Sequence, residues 1–222
     1  RGLGLALTEK FVQLGFTVVA GLYKTEENLA ILQKKYPDQL FIVFLDVTDE
    51  ISVSHAANIA AQKLNGLDIL INNAAVHLPS AYNPLEEIDF DDAKRTLDVN
   101  TLGPLRVTKH FSPLLDKGTR KLIINISSEA GSISDCWRKG EYDYCMSKAA
   151  LNMQSMLLQN YFRPKGIKVL AVHPGWMRTD MGGPNADIDA REAAEGIANL
   201  AMREWSLDDG IYFDYRGKPM RW

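Results

Sequence analysis

Apolar residues recur along this chain in two alternating rhythms. Short runs rich in β-branched and aliphatic residues, at 17–22, 40–45, 67–71, 121–126, 167–172 and 211–213, read as strands. Runs as continuous as Leu40-Phe41-Ile42-Val43-Phe44-Leu45 are those of a parallel sheet covered on both faces. Between the runs lie helical segments: 5–12 ending at Gly15, 25–36 closed by Pro37, 51–64, a long pattern capped by Asp89 and running towards Phe111, 144–162, and 190–203. Gly103-Pro104 predicts a bend in the fourth of these. Strands and helices alternate without repeats, low-complexity tracts or linkers. That order predicts an α/β fold, one doubly wound parallel sheet in a single domain spanning 1–222.

Composition narrows the classes little but excludes some. With 46% hydrophobic and 24% charged residues, the 222-residue chain is ordinary for a globular domain large enough to bury a core. A net charge of −3 offers no broad basic surface to nucleic acid or an anionic membrane. No apolar run approaches the roughly 18–20 residues of a membrane span. Cys136 and Cys145 are the only cysteines, so there is no disulfide framework, and a reducing cytoplasm fits. Cys145 reads as a packing residue. His55, His77, His110 and His173 lack metal-ligand spacing, so no metal is expected. His77 could line a cleft, though an exposed or structural role is the plainer reading.

Candidate chemistry centres on Tyr144-Cys145-Met146-Ser147-Lys148. A tyrosine and a lysine at i and i+4 share one helix face, and a nearby ammonium favours the ionised phenol. Such a tyrosine can exchange a proton with an alcohol or carbonyl. The start of the chain, Arg1-Gly2-Leu3-Gly4, puts a glycine pair at a helix entry, where backbone N–H groups can approach a phosphate; a simple helix-entry turn is the bland alternative.

Upstream of Tyr144 stand Asp98-Val99-Asn100-Thr101-Leu102-Gly103 and the strand Leu122-Ile123-Ile124-Asn125-Ile126 ending in Ser127-Ser128. Strand, Ser-Ser, then Tyr-x-x-x-Lys, in this order, resembles the short-chain dehydrogenase/reductase family, over nearly the whole chain from Gly2 to Trp222. The segment from His173-Pro174-Gly175-Trp176 to Gly183-Pro184 and the closing Tyr212-Phe213-Asp214-Tyr215-Arg216-Gly217-Lys218 are similar to its C-factor-like, carbonyl-reductase-type branch. The resemblance implies a Rossmann-type NAD(P)-binding domain and a reductase of carbonyl compounds, reversible to alcohol oxidation. Its other-class alternative is a cofactor-binding signalling or regulatory protein of the C-factor type with little turnover. It further implies a small-molecule substrate and a homo-oligomer, dimer or tetramer.

The resemblance also assigns roles. Ser128, with Ser127 as the alternative hydroxyl, donates to the substrate oxygen, and Tyr144 transfers the proton. Lys148 holds the nicotinamide ribose and lowers the tyrosine pKa, and Asn100 bends its helix to hold a water beside Lys148. Gly2 and Gly4 approach the pyrophosphate, Asp46 and Val47 border the adenine, and Asn73, Ala74 and Ala75 lie by the nicotinamide ribose, Ala75 replacing the family's usual glycine. Pro174-Gly175 opens the last long loop, in which Thr179 fixes the carboxamide. Tyr23-Lys24 stands where NAD enzymes carry an acid, no carboxylate occurs before Glu26, and Arg1 precedes the glycines. Two cations without the acid imply a 2′-phosphate, hence NADP(H) preferred with NAD(H) possible; alternatively Lys24 is a solvated surface charge.

The family's fingerprint also has a strand and another glycine ahead of Gly2. Without that central strand the sheet would keep a gap with unpaired donors, so about ten further residues are expected before Arg1. Ser128 to Tyr144 is roughly three residues longer than the family's usual spacing, which implies a loop insertion beside the substrate cleft. Trp137, Trp176, Met177 and Met181 are candidates to line an apolar pocket and equally ordinary packing residues. Residues 182–189, with two glycines, a proline and little apolar area, are expected to form a mobile lid.

Overall fold

The structure, a computed structural model, describes residues 1–222. Helix α1 (Gly2–Gln13) leads to strand β1 (Val18–Leu22), α2 (Glu27–Lys35) to β2 (Leu40–Phe44), and α3 (Glu50–Lys63) to β3 (Ile69–Asn72). Helices α4 (Phe90–Leu97) and α5 (Gly103–Leu115) precede β4 (Leu122–Ile126), and α6 (Tyr142–Phe162) precedes β5 (Lys168–His173). Short strands β6 (Met177–Arg178) and β7 (Ile188–Asp189) bracket a loop, after which α7 (Ala190–Met202) leads to β8 (Tyr212–Asp214). No helix is long and apolar enough to cross a membrane.

All named strands pair in parallel, as the apolar runs require. β3, β4, β5 and β8 form one ladder in that order, and β1 pairs with β2 in another. No strand hydrogen bonds join β1 to β3, so the predicted sheet is present as two ladders. They share a core nonetheless, because Val43 of β2 and Leu70 of β3 belong to one buried cluster with Val53, Val107 and Ile123.

The period of two decides which face each strand residue serves. In β4, Leu122, Ile124 and Ile126 pack with Leu3, Leu7 and Phe11 of α1 and with Ile197 of α7, whereas Ile123 points into the cluster made by α3, α5 and α6. Every residue of β4 is buried, and each such aliphatic side chain contributes about 1.5–3 kcal/mol. With helices on both faces, this is the doubly wound, Rossmann-type arrangement.

Three local features differ from expectation. The long helical pattern beginning at the Asp89 cap is broken by a π-helical turn, Asp98–Leu102, before Pro104 starts α5. Helix α6 starts at Tyr142 rather than Tyr144, because Glu141 takes a left-handed conformation with φ of 58° and turns the chain into it. The β6–β7 pair has no counterpart in the apolar pattern, since two-residue strands leave no periodic signal.

Candidate active site

The residues singled out from the sequence collect at the C-terminal ends of the strands, where open α/β sheets bind ligands. Asp46 and Val47 follow β2, Asn73 to Ala75 follow β3, Ser127 and Ser128 follow β4, and Pro174 and Gly175 follow β5. Helix α6 crosses this end and brings Tyr144 and Lys148 to it.

Lys148 is only 2% exposed, donates to the Ile126 carbonyl at 2.9 Å, and lies 5.7 Å from the Tyr144 ring centre. Burial, with no carboxylate beside it, lowers its pKa to about 8. Burial likewise pushes the Tyr144 phenol up to about 12; a hydrogen bond with Ser128 is the strongest opposing influence, and the Arg138 charge the next. The downward shift expected from Lys148 does not appear here: the direction is upward, and Lys148 is not among the influences on the phenol. The ammonium is committed to a backbone carbonyl, and the loss of solvent around the phenol is the largest influence on it.

Ser128 is the serine whose hydroxyl acts on the Tyr144 phenol, lowering its pKa. Its backbone is tied down by the Tyr212 hydroxyl, which donates to the Ser128 carbonyl at 2.7 Å. The alternative, Ser127, gives its hydroxyl proton at 2.6 Å to Asn152 inside α6. Asn100 is fully buried in the π-helical turn. Its amide donates to the Val76 carbonyl at 2.9 Å and to the Ser147 hydroxyl at 3.0 Å, and its oxygen accepts from the Val76 N–H at 2.8 Å. Asn100 thus sits in a π-helical turn, and its side chain bolts the post-β3 loop to α6 and makes no bond to Lys148. Gly103 closes the turn against Val47, whose Cγ2 would lie 2.9 Å from any added Cβ.

Several site residues carried no clear signal in the sequence. His77 stacks on Tyr144 with ring centres 4.4 Å apart and planes 27° from parallel; its Nε2 is buried without a partner, and burial lowers its pKa. The longer loop after Ser128 holds Arg138, which forms ion pairs with both Glu129 and Glu141 and so links the neighbours of the two hydroxyl-bearing residues. Gly131 presses on α6: an added Cβ would stand 2.7 Å from the Lys148 carbonyl group. Only its lack of a side chain could have hinted at that contact. Burial pushes the Cys145 thiol up to about 11, which suits a packing role.

The other face of this cleft fits a dinucleotide. The N-terminus of α1 has no side-chain cap and no acid in its first turn, which leaves its N–H groups free for an anion. Gly2 sits at φ of 52°, and a Cβ on Gly4 would lie 2.8 Å from the Asn73 amide nitrogen, so both glycines are needed for this close approach. Thr179 comes within 3.5 Å of the Cβ position of Gly2, which brings the first and last predicted contacts together. Asp46 accepts at 2.9 Å from the Thr48 N–H and at 2.7 Å from the Thr48 hydroxyl, and so orders the post-β2 turn. Ala74 is exposed and Ala75 half-buried. Gly175 needs its φ of 84° and its missing side chain, because a Cβ would stand 2.7 Å from Ile188.

Some expected partners are not joined. Arg1 pairs with Asp180 at 2.5 Å, whereas Lys24 is exposed over the Tyr23 ring without an ion pair, so no contact links the two cations. Met177 packs against the core as part of β6, so it is a packing residue. Trp176 donates to the Gly182 carbonyl at 2.8 Å, while Trp137 is exposed beneath Arg138 and Met181 is exposed. The expected lid is partly anchored: Ala186 and Ile188 are buried, and Arg178 donates to the carbonyls of Ala186 and Asp187 at 2.8 and 2.9 Å.

Comparison with known proteins gives a consistent result. Residues 1–189 match the family model described as short chain dehydrogenase. The C-signal of Myxococcus xanthus is 38% identical over 156 residues, covering 70% of this chain and 93% of that protein. The structure of NADPH-bound carbonyl reductase from chicken fatty liver is 34% identical, with a TM-score of 0.91 over 100% of this chain and 95% of that one. The carbonyl reductase Sniffer of Drosophila melanogaster is 28% identical, with a TM-score of 0.93 over 100% and 96%.

Proposed function

The chain belongs to the short-chain dehydrogenase family, and from that premise we propose that it is an NADP(H)-preferring carbonyl reductase, moving a hydride between NADP(H) and a carbonyl or alcohol substrate. The observation that carries this reading is the meeting of Ser128, Tyr144 and buried Lys148 beside an uncapped, glycine-entered helix. When bound, the nicotinamide supplies the hydride. The Ser128 hydroxyl donates to the substrate oxygen and positions it. Tyr144, kept protonated by burial, gives its proton to the nascent alkoxide. Lys148 offers donors to the ribose hydroxyls from a site it shares with the Ile126 carbonyl. Both amide N–H bonds of Asn100 are occupied, so a water placed towards Lys148 would rest on its backbone carbonyl. The NADPH held by the chicken enzyme and the absence of a carboxylate between β1 and Glu26 support the NADP(H) preference. A homo-oligomer is supported by the outward face of α6, where Met153, Leu157 and Tyr161 are exposed, and a reducing cytoplasm by the two free cysteines.

The likeness to C-signal favours one competing reading, a cofactor-binding signalling protein with little turnover. NADPH oxidation against a panel of ketones and aldehydes separates the two. Turnover is expected, falling by about two to four orders of magnitude in Tyr144→Phe while NADPH still binds. NADPH binding without any turnover would move the assignment to the signalling reading. Near-normal turnover in Tyr144→Phe would remove Tyr144 as the acid.

A further inference from the structure

At the far end of the sheet from Ser128 and Tyr144, a cavity of about 280 Å³ opens between the starts of β4 and β5 and the segment after α7. Its wall includes Arg120, Lys121, Lys168 and Arg203, with Glu204 as the single carboxylate, so it carries an excess of three positive charges in a chain whose net charge is −3. The Glu204 side chain is 95% exposed; outside the wall, Asp208 and Asp209 act on Lys168 and Asp68 on Arg120.

These cations are fixed rather than free. Arg120 donates to the carbonyls of Ala201 and Met202, both at 3.2 Å. Lys168 is only 4% exposed and donates to the Asp209 carbonyl at 2.6 Å. Arg203 lies 4.3 Å and the Lys168 ammonium 5.8 Å from the centre of the Trp205 ring, itself held by its indole N–H bond of 2.9 Å to Leu200. Lys121 occupies the left-handed region with φ of 54°, a conformation that residues with side chains avoid. Its carbonyl accepts from the Lys168 N–H at 2.9 Å, which holds that turn in the cavity wall. The Lys168 ammonium is bonded only to a carbonyl, with Asp208 and Asp209 acting on it from outside the wall, and an anion in the cavity would meet it directly.

We propose that this cavity binds a small polyanion of two or three negative charges, carried on carboxylate or phosphate groups. The Arg120 and Arg203 guanidinium groups suit paired anionic oxygens, the lysines add point charges, and the volume admits a single small metabolite. Strands of five and six residues separate the cavity from the catalytic end by about 17–20 Å, so the anion and the dinucleotide occupy different places.

Calorimetric titration of the full chain with citrate and, separately, inorganic phosphate tests this, at a fixed ionic strength of about 0.15 M set with sodium chloride. With the dinucleotide site kept filled by saturating NADP⁺, one saturable site is expected for at least one probe. Saturation by phosphate identifies a phosphate-bearing ligand, and saturation by citrate alone identifies a polycarboxylate. Lys121→Gly removes a charge while relieving the left-handed turn, and Arg203→Gln changes an exposed residue, so the double variant keeps the fold. It should bind at least about tenfold more weakly. Arg1→Gln with Lys24→Gln, at the other end of the molecule, should leave the affinity unchanged. No saturation by either probe below about 10 mM, or an affinity that survives Lys121→Gly with Arg203→Gln, would overturn the proposal.

Discussion

Lys148→Met tests the energetics of the site apart from its catalysis. The fall of the Lys148 pKa from 10.5 to about 8 means that burying the ammonium costs about 3 kcal/mol at neutral pH. Its bond to the Ile126 carbonyl offsets about 1.5–3 kcal/mol, the range for a charged donor. A methionine fills similar volume with neither term, so the cofactor-free variant should be more stable by about 1 kcal/mol near pH 7, or about 2–4 °C in melting temperature for a chain of this size. The sign with pH is fixed by the depressed value. Between about 8 and 10.5 the unfolded lysine holds a proton that the folded one has released, so the wild type gains stability as pH rises. That gain reaches about 2 kcal/mol at about pH 9.5, which should reverse the order of the two proteins. Urea denaturation of both at the two pH values measures it, and other titrating groups cancel in the difference. A stability difference that does not move with pH would refute the account of Lys148 as a desolvated ammonium. The same variant should bind NADPH more weakly, so the lysine would hold a functional role at a cost in stability.

The remaining predictions follow from single contacts. Subtracting the absorbance titration of Tyr144→Phe from that of the cofactor-free wild type should show no phenolate below about pH 10, because burial holds Tyr144 near 12; ionisation in the neutral range would refute that. Gly131→Ala should cost about 1–3 kcal/mol in denaturation and lower turnover, since its Cβ must displace the backbone that carries Lys148; a neutral effect on both would show that the loop yields freely. NADPH should bind at least about tenfold tighter than NADH, with Lys24→Ala eroding the preference and NADH binding unchanged; equal affinities in the wild type would remove the 2′-phosphate assignment.

What the sequence disclosed was whatever depends on local pattern. The apolar run of β4, the glycines at the start of α1 and the i, i+4 spacing of Tyr144 and Lys148 are each set within a few residues, and the structure has the strand, the helix entry and the shared helix there. Hidden features depend on partners distant in the chain. The π-helical turn needs Ser147 and Val76 to receive Asn100, and Val47 to demand Gly103. Tyr212 reaches the Ser128 carbonyl across 84 positions, and His77 meets Tyr144 only after the post-β3 loop folds over α6. The direction of the Tyr144 shift is not legible in the spacing, which shows that a lysine is near but not how far the fold strips solvent from the phenol.

The segment between Ser128 and Tyr144 has a physical role of its own. Glu129 adjoins Ser128, and Glu141 begins α6 three positions ahead of Tyr144. Arg138 joins both carboxylates, so one guanidinium fixes the separation of the two segments that carry the hydroxyls. Glu141 holds its left-handed turn with the help of its own N–H bond of 3.1 Å to Ala81, which ties the clamp to the loop bearing His77. The Arg138 charge also lowers the Tyr144 pKa, while Glu129 raises it. A shorter loop would lack both the tether and that field. Arg138 therefore ties the segment of Ser128 to that of Tyr144 and moderates how firmly burial holds the Tyr144 proton.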